Sequence, residues 1–182
     1  MKTDLSQFDN SWYKPGGKLK KLIWYFCNIL FMKNPLWPHS GSKVALLRLF
    51  GAKMGKSVLI KPNVNIKYPW KLTVGDHVWI GEEVWIDNLG HVTIESNCCL
   101  SQGALLLCGN HDYSKVTFDL MVGDIHLQQG TWIGAKAIVT GGVTTGEESV
   151  LSVGSVASKS LDAFGIYRGS PAVKVKERTF KK

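Results

Sequence analysis

A histidine stands where the smoothest pattern in the chain breaks. Residues 101–108 read SQGALLLC, small and aliphatic, residues 109–113 read GNHDY, and the stretch after them is polar and irregular. An unperturbed imidazole titrates at about 6.5, so His111 can take a proton from a substrate group near neutral pH. Asp112 beside it either caps a turn, as aspartate commonly does, or joins the chemistry. Asp87, Asn88 and His91 lie upstream. A carboxylate there can orient a histidine or grip a hydroxyl, and ordinary turn chemistry is the competing reading. The chain has five histidines, His39, His77, His91, His111 and His126, and no H-x4-H partner follows His111. Zinc needs convergent ligands, so no metal is expected. Cys27, Cys98, Cys99 and Cys108 form no CxxC pair. They read as reduced packing thiols, which suits a cytosolic protein.

The elements that position these residues show in a count. From residue 54 onward an aliphatic residue recurs every six positions: Met54, Ile60, Ile66; Val74, Ile80, Ile86; Ile94, Leu100, Leu106; Leu127, Ile133, Val139. A fifth trio, Thr145, Leu151 and Ala157, starts on a polar residue and is expected to pack less regularly. Neither a strand period of two nor a helix period of 3.6 fits this spacing. It specifies a β-helix: short strands joined by tight turns, aliphatic residues pointing inward, a small or β-branched residue at the fourth offset, and each coil buried against the next. The gaps from Ile66 to Val74 and from Ile86 to Ile94 are eight residues, and that from Leu106 to Leu127 is twenty-one. Every insertion follows the third repeat of a trio. All three therefore project from one corner and stack there, which makes that corner the expected binding face. His111 ends the repeat that opens the longest insertion, and His91 and Lys71 hold the matching place in the two coils before.

The totals bound the partners. Lys and Arg outnumber Asp and Glu by 22 to 14, a formal net charge of +8. Such a balance suits nucleic acid, anionic lipid or a phosphorylated small molecule, and no nucleic-acid-binding motif is present. The length of 182 residues suggests one domain with an appendage. Residues 1–53 read as a helical or extended segment without a signal peptide, 54–161 as the β-helix with a loop at 112–126, and 162–182 as a tail. The run LIWYFCNILFM, residues 22–32, is too short to span a bilayer. It either packs on the β-helix or, with lysines flanking it, rests residues 18–33 on an anionic membrane surface.

The repeat, the GNHDY corner and the ending YRGSPAVKVKE, residues 167–177, resemble the hexapeptide-repeat acyltransferases. LLRLFGAKMG, residues 46–55, and YPWKLTVGD, residues 68–76, are similar to the acetyltransferases of the WcaF kind, which serve exopolysaccharide synthesis. The resemblance implies a mainly β fold, a left-handed parallel β-helix of about five coils. It implies an acetyl-CoA-dependent O-acetyltransferase acting on a sugar, built as a homotrimer with each active site between two neighbours. The acceptor would be a sugar, a nucleotide sugar or a lipid-linked saccharide, and the site cytoplasmic or at the inner membrane face.

On that resemblance His111 is the general base. No serine or cysteine nucleophile is required, because a thioester is already activated. Asp87, Asn88, His91 and Asp112 are the acceptor-side candidates. Trp132 would lie by the pantetheine arm, with Gly134 and Ala135 after it, and Ala135 and Val153 would offer backbone to the cofactor. Ser158 and Lys159 would lie near its nucleotide, and Arg168 and Lys176 near its phosphates. Lys174 reads more readily as part of a solvated basic tail. The loop 112–126 would reach a neighbouring subunit and close the acceptor pocket. A different small acceptor such as an antibiotic or serine, a γ-type carbonic anhydrase and a non-catalytic scaffold are the rival readings.

Overall fold

A computed structural model describes residues 2–181. Its body is a parallel β-helix with three sheets of five, seven and five strands. The three members of each trio go to the three sheets in turn. In the first sheet Met54 pairs with Val74, Val74 with Ile94, Ile94 with Leu127 and Leu127 with Thr145. In the second, Ile60, Ile80, Leu100, Ile133 and Leu151 align in the same way and continue to Tyr167. In the third, Ile66, Ile86, Leu106, Val139 and Ala157 align. The ladders thus close in register across the twenty-one-residue gap. Ile60, Ile66, Ile80, Ile86, Ile94 and Leu106 are fully buried. Each such burial stabilises the stack by about 1.5–3 kcal/mol.

The corners divide their work between two positions. The residue three places after the aliphatic one takes a positive φ, as at Ser57, Asn63, His77, Glu83, Asn97, Lys136 and Glu148. None of these is glycine. The glycine directly after the aliphatic residue answers a different need, close approach of the next coil. A Cβ on Gly134 would stand 2.6 Å from the Val153 nitrogen, and one on Gly75 the same distance from the Ser96 nitrogen. The fifth coil keeps its inward residues buried despite its polar start. Thr145 is fully buried, and its hydroxyl lies 3.0 Å from that of Thr131, so the polar atoms that replace an aliphatic side chain satisfy each other.

Both ends of the stack are covered. Helix α1 (Lys18–Cys27) continues into a π-helical turn, Asn28–Met32, and α2 (Ser40–Leu49) follows. These elements satisfy backbone groups that the first coil would otherwise leave unpaired. The Trp24 indole donates to the Ile66 carbonyl at 2.8 Å, Lys43 Nζ to that of Lys61 at 2.8 Å, and Arg48 to those of Met54 and Gly55 at 2.9 Å. The fully buried Lys43 is thereby a structural donor. The other end differs from the expected tail. Leu161 bridges to Thr145, Gly165–Gly169 joins the second sheet, and Ala172–Glu177 folds back antiparallel on it. The body therefore has five complete coils and part of a sixth.

Candidate active site

The long insertion is less irregular than its sequence. Gly109–His111 and Leu120–Val122 form an antiparallel hairpin, and Ile125–Leu127 is already back in the first sheet. His111 therefore sits on a strand rather than in a loose loop. Its Nδ1 lies 2.9 Å from the Phe118 carbonyl oxygen, and its ring stacks on the Phe118 ring at 4.4 Å and 7°. A carbonyl only accepts, so Nδ1 carries the proton and Nε2 keeps a free lone pair. Phe8 approaches the imidazole at 5.6 Å.

Phe8 belongs to an N-terminal strap that sequence reasoning missed. Asp4 N–H donates to the Val116 carbonyl at 2.9 Å, Tyr13 OH to that of Leu89 at 2.7 Å, and the Trp70 indole to that of Pro15 at 2.7 Å. Lys71 also donates to the Leu89 carbonyl and stands over the Tyr13 ring at 4.7 Å. Burial pushes the Tyr13 phenol up and the Lys71 ammonium down from their ordinary values. The strap, Lys21, Lys67, Tyr68 and His111 line an open cavity of about 520 Å³. The strap has no repeat, so only its aromatic residues signalled it.

The acceptor-side candidates are dispersed. Asn88 is fully buried, and its amide accepts from Tyr68 N–H at 2.9 Å and donates to the Tyr68 carbonyl at 2.7 Å. Buried in this way, it holds Tyr68 in the wall of the His111 cavity. Asp112 closes a turn, accepting from the Ser114 N–H and hydroxyl, bonds that hold its carboxyl below the usual range. The turn-capping reading thus describes it. His91 is exposed, donates its N–H to Asp124 at 2.7 Å and does not line the His111 cavity. Asp87 is largely buried and pairs with Lys67 Nζ at 2.8 Å, in a neighbouring cavity.

The cofactor-side candidates gather better. Trp132, Gly134, Ala135, Val153, Arg168 and Lys176 line one groove of about 610 Å³ on the outer face of the second sheet. Ser101 and Arg178 line it too and were not foreseen. Ser101 accepts from the Trp132 indole at 2.9 Å, which fixes the ring while leaving it nearly half exposed. Arg178 is tied to Glu148 at 3.0 Å. Ser158 and Lys159 stand apart, exposed beyond the third-sheet strand Val156–Ala157 and outside the groove. Lys174 is engaged by Glu177 at 2.8 Å. Among the described residues none lines both this groove and the His111 cavity. Among them, too, no three His, Cys, Asp or Glu side chains converge as metal ligands, and no helix is long and apolar enough to cross a membrane.

No protein-family model matches the chain. It is 37% identical over 177 residues to an Escherichia coli (strain K12) protein named "Putative colanic acid biosynthesis acetyltransferase WcaF", covering 96% of this chain and 97% of that one. Its fold is similar to that of a galactoside acetyltransferase in complex with coenzyme A, with a TM-score of 0.77, 21% identity and coverage of 87% and 80%. It is also similar to hexapeptide-repeat acetyltransferase VCA0836 from Vibrio cholerae O1 biovar eltor complexed with acetyl coenzyme A, with a TM-score of 0.73, 19% identity and coverage of 78% and 79%. The shared architecture is the left-handed parallel β-helix.

Proposed function

We propose, from the premise that the chain belongs to the hexapeptide-repeat acetyltransferases of the WcaF kind, that its groove and its cavity serve one reaction. That reaction is transfer of acetyl from acetyl-CoA to a hydroxyl of an exopolysaccharide sugar. The observation that carries this reading is the His111–Phe118 contact, which leaves Nε2 free to accept a proton. Nε2 takes the hydroxyl proton as the oxygen attacks the thioester carbonyl. The tetrahedral intermediate then collapses, the carbon–sulfur bond breaks, and the imidazolium returns the proton to the departing thiolate. The Trp132 groove holds the acetyl donor, with Arg168 and Lys176 toward its phosphates.

Groove and cavity share no lining residue, which favours a site completed by a second copy of the chain, as in a homotrimer. The apolar side of α1 and the following turn exposes Leu19, Leu22, Phe26 and Leu30 beside lysines. That face suits a resting place on anionic lipid at the cytoplasmic side of a membrane. Thiol release from acetyl-CoA against a panel of saccharide acceptors tests the reading. Acceptor-dependent release that collapses in His111→Ala, with donor binding kept, supports it. Release unchanged by that substitution, or no acetyl-CoA binding, removes it.

A further inference from the structure

Two cavities meet on the N-terminal side of His111. The His111 cavity shares Lys21, Lys67 and Tyr68 with a second cavity of about 360 Å³ beneath α1, and that second cavity runs on to Lys33. Three lysines thus line one groove formed by the two adjoining cavities. Among the described residues the only carboxylate lining it is Asp87, which binds Lys67 Nζ at 2.8 Å. An ammonium has three donors, so Asp87 orients Lys67 without exhausting it. Among the described residues neither Lys21 nor Lys33 has an ion-pair partner. The remaining walls are aromatic, with Trp24, Tyr25 and Trp85 beside Tyr68. Like charges lining one partly apolar groove repel each other, and a polyanion bound among them relieves that repulsion.

We infer that this groove is a diphosphate subsite, and that the acceptor is a glycosyl diphosphate whose sugar reaches His111 while its phosphates lie between Lys21, Lys67 and Lys33. The inference rests on the acetyl-transfer reading and names its substrate class. Both a nucleoside diphosphate sugar and a polyprenyl diphosphate sugar carry this chemistry. The aromatic walls suit the base of the first, and the exposed apolar side of α1 suits the chain of the second.

Calorimetry on the full-length protein tests it. The protein is first saturated with CoA, so that the Trp132 groove cannot report. Inorganic pyrophosphate, UDP-glucose and a polyprenyl diphosphate glucose in detergent micelles are then titrated separately. The expected result is pyrophosphate binding in the presence of CoA, weakened about tenfold or more by Lys21→Gln and by Lys33→Gln and unaffected by Arg168→Gln. Lys67→Gln also releases Asp87, so Lys33→Gln serves as the variant that leaves the Asp87 pair alone. Whichever glycosyl diphosphate binds with the same lysine dependence identifies the source. The inference falls if neither glycosyl diphosphate binds, or if pyrophosphate binding vanishes in Arg168→Gln while surviving in Lys21→Gln. It also falls if the glycosyl diphosphate is acetylated with the same KM in wild type and Lys21→Gln. Failure of the acetyl-transfer reading is seen separately, as absent acetyl-CoA binding before any phosphate is added.

Discussion

His111 Nδ1 is held 2.9 Å from the carbonyl oxygen of Phe118, and the two rings stack face to face. One residue thus fixes both the tautomer and the plane of the imidazole. Neither effect needs a charged partner, which separates this site from designs in which a carboxylate orients the imidazole. Replacing His111 by alanine should lower acetyl transfer about 10²–10⁴-fold and leave donor affinity unchanged. Steady-state thiol release beside donor titration checks both halves.

Phe118→Ala keeps the accepting carbonyl and removes the stacked ring. The tautomer survives while the ring plane loosens. The expected loss in kcat is about tenfold, much smaller than for His111→Ala. A loss equal to that of His111→Ala would mean that the stack, rather than the hydrogen bond, sets the geometry.

Asn88→Ala should act on stability. It leaves the Tyr68 N–H and carbonyl without their partners at a part-buried corner. Each buried group so stranded costs about 1–3 kcal/mol. Urea denaturation should show a loss of that order with an unchanged m-value. An unchanged midpoint with a raised acceptor KM would give Asn88 a substrate role instead.

Trp132→Ala should raise the KM for acetyl-CoA about tenfold, since the ring forms an exposed apolar wall of the groove. Trp132→Phe keeps an aromatic face and loses only the bond to Ser101, so its effect should be smaller. Equal effects would assign the contribution to the indole N–H.

The buried thiols set an alkaline limit. Burial pushes Cys98 up to about 12 and Cys108 up to about 11, from an ordinary 9.0. Above the ordinary value the unfolded chain releases these protons and the folded chain keeps them. Stability from this source is therefore full below pH 9 and is lost as the pH rises through the folded values. Denaturation midpoints should fall over that window, and the double variant Cys98→Ala, Cys108→Ala should flatten the fall.

The repeat was legible because each inward residue is read independently of the rest. Val74 and Ile94 pair in the first sheet because six-residue spacing returns the chain to the same face every third repeat. His111 was legible for the same reason, since it stands where that arithmetic is interrupted. Its surroundings were not. Phe8, Tyr68 and Phe118 come from three separated segments, and no periodicity connects them. Asn88 was ambiguous because a polar residue at an inserted corner looks alike whether it faces a substrate or clamps a backbone. Ser158 and Lys159 were placed by resemblance alone, and the groove they were expected to join runs along a different sheet.

The coil stack also acts as a gauge. The helices sit on the first coil, and the hairpin bearing His111 emerges after the third. Successive coils are separated by one interstrand spacing, about 4.8 Å. The height of the His111 hairpin above the helical cap is therefore counted out in whole coils, and no flexing of a side chain alters it. A homologue with one coil more or fewer between cap and hairpin would keep the same chemistry and reach a hydroxyl about one step farther from, or nearer to, whatever anchors its acceptor.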